Sequence, residues 1–227
     1  MDRLRTLSSE DPVAGLLAVG IGLAVIAVGG QTAIDLVNAF AFDNRYDPLN
    51  VDVEGNAFTW ASASATFAAA FASLVHGVVL AVSRRRYLAL ASLLAFLSLD
   101  EVAQIHERIG WRVQRGFDLP DEIGARAFIF VYLPLLAVVA LLLWRVASEA
   151  EARVRRSLWA GLALLGAAVV LEPLGAYWKF DSSPDRVEAA FEEALELGGW
   201  ILVASGLTAV LYTALASAGT APPRSTP

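Results

Sequence analysis

The chain has 227 residues, 57% of them apolar, with a net charge of −6 and no cysteine. Its mean hydropathy is +0.57, whereas soluble domains are about 45–50% apolar. The missing cysteines exclude disulfides, thiolate metal sites, iron–sulfur clusters and cysteine nucleophiles, and the acidic balance argues against a nucleic-acid partner.

A bilayer core about 30 Å thick needs roughly 20 apolar residues per helix. Six stretches qualify: 13–40, 58–82, 87–105, 127–146, 158–178 and 190–216. The expected fold is therefore all-α, one polytopic transmembrane bundle over residues 1–218, followed by a disordered tail at 219–227. The first span begins with Ser9-Glu10-Asp11-Pro12, a capping residue, early negative charge and a first-turn proline. It is too long for a signal-peptide core.

Basic residues set the orientation. Arg3 and Arg5 precede span one, Arg84, Arg85 and Arg86 follow span two, and Arg145, Arg153, Arg155 and Arg156 follow span four. The opposite loops carry Asp43, Asp47, Asp52, Glu54, Asp181 and Asp185. This pattern predicts a bacterial inner-membrane protein with both termini cytoplasmic. The third loop carries Arg108, Arg112, Arg115 and Arg126, while Ile109, Val113 and Phe117 repeat every four residues. Span three is expected to continue there as an amphipathic interfacial helix.

Polar residues inside spans mark candidate sites. Span one holds Gln31, Asp35 and Asn38 on one face, which suits either a site or hydrogen-bonded glue between helices. Span two holds Ser62, Thr66 and Ser73, a pattern of close helix packing, with His76 toward the cytoplasmic end. Span three ends in Asp100-Glu101-Val102-Ala103-Gln104-Ile105-His106-Glu107. At about 100° per residue, Asp100, Gln104 and Glu107 share a stripe, flanked by Glu101 and His106. A regular helix would not aim Glu101 and His106 at one atom, but both could line one pocket if the helix end is wound differently.

Span four reads as lipid-facing, with little polar beyond Tyr132 and Trp144. In span five, Glu172 adjoins Pro173, which frees a carbonyl and kinks the helix. In span six, Glu192, Glu196, Gly199, Val203 and Gly206 share a face. The glycines admit a close neighbour, which turns Glu196 inward. Glu188 and Glu192 read as solvated residues at a helix N-terminus, with Glu193 undecided.

Asp35, Asp100, Glu101, His106, Glu172 and Glu196 all fall in the outer half of the bundle. Close carboxylates need shared protons, arginines or a cation. The leading expectation is an iron, manganese or zinc site using Asp100, Glu101, His106, Glu172 and Glu196. Asp35, Gln104, Glu107 and Glu193 are secondary candidates. Asp100, Glu101 and His106 would act catalytically in a hydrolase or oxidoreductase working on a lipid-like or periplasmic substrate. A proton- or cation-coupled transporter and a non-catalytic assembly or sensor subunit are the alternatives. Beyond the lipid bilayer, a second copy of the chain is a candidate partner. His76 and His106 lie about 16 Å apart along the membrane normal, which argues against a haem held by both.

The segment Leu97-Ser98-Leu99-Asp100-Glu101 with His106-Glu107, and the later Glu192-Glu193-x-x-Glu196-x-Gly198, resemble segments of a group of uncharacterised bacterial polytopic membrane proteins. The resemblance implies that the two segments belong together; it implies no activity.

Overall fold

The structure, a computed structural model, describes residues 11–51, 55–80, 83–120, 123–175, 178 and 182–219. Arg3, Arg5, Ser9, Glu10, Asp52, Glu54, Asp181 and the tail after Gly219 lie outside the described residues. Seven α-helices and no strand occur among the described residues. They are α1 (Pro12–Phe42), α2 (Ala57–Val79), α3 (Arg84–Ala103), α4 (Ile105–Gly116), α5 (Ile129–Glu149), α6 (Ala152–Gly175) and α7 (Ser183–Gly219). Short 3-10 turns stand at Asp47–Leu49 and Gly124–Phe128. Five helices are long and apolar enough to cross a membrane, or six if the bent pair α3–α4 forms one span.

Local chemistry sets the helix ends. Asp11 caps α1 by accepting the Ala14 N–H at 3.0 Å, with Pro12 in the first turn. Asn56 caps α2, its Oδ1 accepting the N–H groups of Phe58 and Thr59. α1 stops where Asp43 and Asn44 turn left-handed. The stripe late in α1 then pins the following loop. Asn38 exchanges two hydrogen bonds with the Tyr46 backbone, and Asp35 accepts the Val51 N–H at 3.0 Å.

α7 is the central helix, packing against α1, α2 and α6. Glycine makes the α6–α7 contact possible. A Cβ on Gly199 would stand 2.7 Å from Leu165 Cγ, and one on Gly161 would stand 2.9 Å from the Gly199 carbonyl oxygen. A Cβ on Gly198 would stand 2.5 Å from Val28 Cγ2 of α1. The glycine face read from the sequence is thus the α6–α7 seam. α2 lies along α3, tied by Ser98 Oγ donating to the Ala63 carbonyl at 2.8 Å.

The tightest core sits at the end of the bundle where α3 and α6 begin. Leu90, Leu94, Leu143, Leu158 and Val203 are fully buried there. Arg86–Glu149 and Arg153–Asp11 ion pairs, each 2.6 Å, close that end. His76 belongs to it as well, buried and stacked on Tyr87 with centroids 3.5 Å apart. The outer flank of α1 exposes Val19, Ile21, Val25 and Ile26, as a bilayer-facing surface does. The opposite end of the bundle is hollow.

Candidate functional site

The hollow is a cavity of about 760 Å³, within the usual range of ligand pockets. Its wall combines α3, α4, α5, α6, α7 and the Gly124–Phe128 turn. Along α5 it runs from Phe128 to Leu143, about 22 Å at 1.5 Å per residue. The deep part is apolar, with Leu136, Val139, Ala140, Leu162 and Leu165 among its lining residues. The shallow part carries Asp100, Glu101, Glu107, Glu172, Glu192, Glu193 and Glu196, with His106 and Arg126.

A helix break builds the polar end. α3 stops at Gln104, which is left-handed at φ 54° and donates its N–H to the Asp100 carbonyl at 2.8 Å. α4 departs at 74°. That bend lets Glu101 and His106 line one space, as an irregularly wound helix end would allow. It also places Asp100, only 4% exposed, across the start of α4. Asp100 Oδ1 accepts the His106 backbone N–H at 2.9 Å and the Tyr132 hydroxyl at 3.0 Å. Asp100 Oδ2 lies 3.1 Å from His106 Nδ1. A carboxylate only accepts, so a neutral imidazole paired with it this way carries its proton on Nδ1 and keeps its lone pair on Nε2. Phe128 packs edge-on against the same imidazole, centroids 4.8 Å apart.

The facing wall is acidic. Arg126 approaches Glu172 at 3.9 Å, Asp185 at 3.4 Å and Glu188 at 3.6 Å. One guanidinium is shared by three carboxylates, a role its planar fork of donors suits. Glu172 of α6 and Glu192 and Glu196 of α7 line the same end of the cavity as His106. Trp200 Nε1 donates to Glu196 Oε1 at 2.9 Å, fixing that carboxylate one turn before the glycine seam.

Of the residues expected from the sequence, Asp100, Glu101, His106, Glu107, Glu172, Glu193 and Glu196 all line the cavity. Asp35 does not; its carboxylate holds the loop at Val51. Gln104 is the hinge and stands outside the lining. Glu107 makes no ion pair with Arg108 or Arg112 and turns into the cavity instead. Three sequence readings are corrected. Glu192 is a wall residue and Glu188 a partner of Arg126, because α7 begins beside the Gly124–Phe128 turn rather than in open solvent. α5 is not simply lipid-facing: its inner side lines the cavity, and its Tyr132 is 5% exposed and bonded to Asp100.

Sequence reasoning misses Arg126 and Tyr132 as site residues. A lone tyrosine opening an apolar span is the available signal for Tyr132, since a buried phenol needs a partner. Arg126 has none, being one of several loop arginines. Among the described residues no group of three or more histidine, aspartate or glutamate side chains is arranged to hold a metal ion. The oxygen-rich donors with one imidazole suit a divalent ion chemically, yet they do not converge on one point.

The chain belongs to the family defined by the domain of unknown function DUF8692, whose model matches residues 13–211. That match contains every described residue lining the cavity. No curated protein and no solved structure matches the chain.

Proposed function

We propose that this member of the family is a membrane-embedded enzyme acting on a lipid-like molecule with a positively charged head. The single observation that carries the reading is the two-part cavity, apolar for most of its depth and crowded with carboxylates around His106 at one end. Among the described lining residues, seven carboxylates and one arginine make this end acidic, which suits a cationic head, while the apolar depth takes a hydrocarbon chain. His106, with Nδ1–H held by Asp100, offers Nε2 as a base and, once protonated, as an acid. Asp100 is a positioning residue that sets the tautomer, as the acid does in a hydrolase triad. Tyr132 in turn holds Asp100.

The basic loops lie at the end opposite the cavity, so the positive-inside rule puts both termini in the cytoplasm and the site in the outer half of the inner membrane. The row of carboxyls at Glu172, Glu192 and Glu196 along one end of the cavity favours a second reading, proton- or cation-coupled transport, in which these groups pass a proton. A divalent ion bridging the carboxylates is a further proposal; elemental analysis of chelator-free protein, before and after iron, manganese or zinc resupply, decides it.

The test uses dodecylamine and dodecanoate, which share a tail and differ in head charge. Trp111, Trp178 and Trp200 line the cavity and report occupancy by fluorescence. The amine should bind and the acid should not. Gly166 lines the cavity, and a Cβ placed on it would meet nothing within 4 Å, so Gly166→Leu should fill the space and abolish binding without unfolding the chain. Equal binding of both amphiphiles, or amine binding unaffected by Gly166→Leu, sinks the reading. Flux of protons into vesicles without any chemical change in a bound amphiphile would favour transport.

A further inference from the structure

We propose that α4 is a docking surface for anionic phospholipid headgroups, formed by Arg108, Arg112 and Arg115. These residues stand at i, i+4 and i+7, so they fall within about 60° of one another on the helix. All three are exposed, and among the described residues none has an acidic partner. Arg115 Nε donates only to the Trp111 carbonyl one turn back. The buried side of α4 is the opposite one, carrying Gly110 and Gln114, and its single acid, Glu107, points into the cavity. Among the described residues the charge on the outer face is therefore unpaired and of one sign.

Depth identifies the partner. α3 is part of a helix pair long and apolar enough to cross a membrane, and α4 leaves it at 74°. A helix turning that sharply at the end of a span runs close to the membrane plane, at headgroup level. Phe117 is 76% exposed and Trp111 44%, supplying apolar and amphipathic anchors beside the arginines. At that level the abundant anion is a lipid phosphate, and guanidinium groups bind phosphate through two parallel donors. The proposal is independent of what occupies the cavity. It bears on the site all the same, because α4 begins with Ile105-His106-Glu107, so lipid docking would hold the hinge at Gln104 and the His106 ring in place.

The experiment is amide hydrogen exchange on the full chain in nanodiscs of phosphatidylcholine, with or without phosphatidylglycerol. Each arginine near an anionic surface contributes roughly a fivefold gain in affinity, so three give on the order of a hundredfold. Exchange across 105–116 should slow when phosphatidylglycerol is present, with that factor as the ceiling. The slowing should vanish in R108Q/R112Q/R115Q and survive in R108K/R112K/R115K. Amides of the α7 seam around Gly199 serve as the fold control and should not change. Identical exchange in the two lipids overturns the proposal, as does slowing that persists in the glutamine variant. Slowing reproduced by inorganic phosphate in phosphatidylcholine discs also overturns it, by making the surface a free-anion site.

Discussion

Asp100 accepts three hydrogen bonds, and its replacement separates their structural and chemical roles. In Asp100→Ala the Tyr132 hydroxyl, in a residue 5% exposed, loses its acceptor. An orphaned buried donor costs about 1–3 kcal/mol. The His106 backbone N–H loses its cap at the start of α4, which adds about 1 kcal/mol. The imidazole itself adds little, because its side chain keeps 17% exposure and can move its proton to Nε2. The expected loss is about 2–4 kcal/mol. Asp100→Asn keeps an oxygen for both Oδ1 bonds and should cost about 1 kcal/mol. Its NH2, however, would face Nδ1 and force the Nε2–H tautomer, removing the lone pair from Nε2. Unfolding in mixed micelles measures the first effect. Imidazole nitrogen NMR measures the second, and it is tractable because the chain has 2 histidines. A native His106 lacking a proton on Nδ1, or an Asp100→Ala variant as stable as Asp100→Asn, would refute this account of the dyad.

Arg126→Gln removes the guanidinium that Glu172, Asp185 and Glu188 share. Breaking a buried pair costs about 3–5 kcal/mol, but the arginine side chain is 26% exposed, so about 1–3 kcal/mol is expected after solvent screening. Arg126→Lys should recover part of it, and no loss in Arg126→Gln would show that these contacts do not hold the mouth. At the α6–α7 seam, Gly161→Ala should cost about 1–3 kcal/mol by overpacking, since the new methyl meets the Gly199 carbonyl and Val203. Gly29→Ala, with open space around it, should be neutral or stabilising by up to about 1 kcal/mol; equal effects in the two variants would contradict the seam. At the edge of α1, the Ala14 N–H bond, aided by Arg153, holds the Asp11 carboxyl below its ordinary value of 3.8. Its contribution is present above that value and disappears as pH falls through the lowered one. Protection of the Ala14 amide, taken relative to its intrinsic exchange rate at each pH, should therefore fall only on strong acidification, and should not change with pH in Asp11→Asn.

The sequence alone determined the helical class, the length of the apolar segments and which end of each segment was acidic. Those properties follow from composition and periodicity, which a bilayer-length helix imposes locally. It also determined the small-residue face of α7, because a helix can meet a neighbour at backbone distance only where side chains are missing, as Gly199 and Gly206 show. The cap at Asp11-Pro12 was legible for the same local reason. Only the tertiary structure decided what the acids do. Asp35 and Asp100 look alike as buried aspartates in apolar helices, yet one anchors a loop at Val51 and the other orients His106. The left-handed turn at Gln104 depends on what Asp100 meets across it, and no glycine or proline marks the place. Glu188 and Glu192 read as solvated because exposure at a helix start depends on the neighbouring chain, here the Gly124–Phe128 turn against α7. The apolar inner face of α5 could not be told from a lipid-facing one, since a hydrocarbon-lined cavity and a bilayer ask for the same side chains.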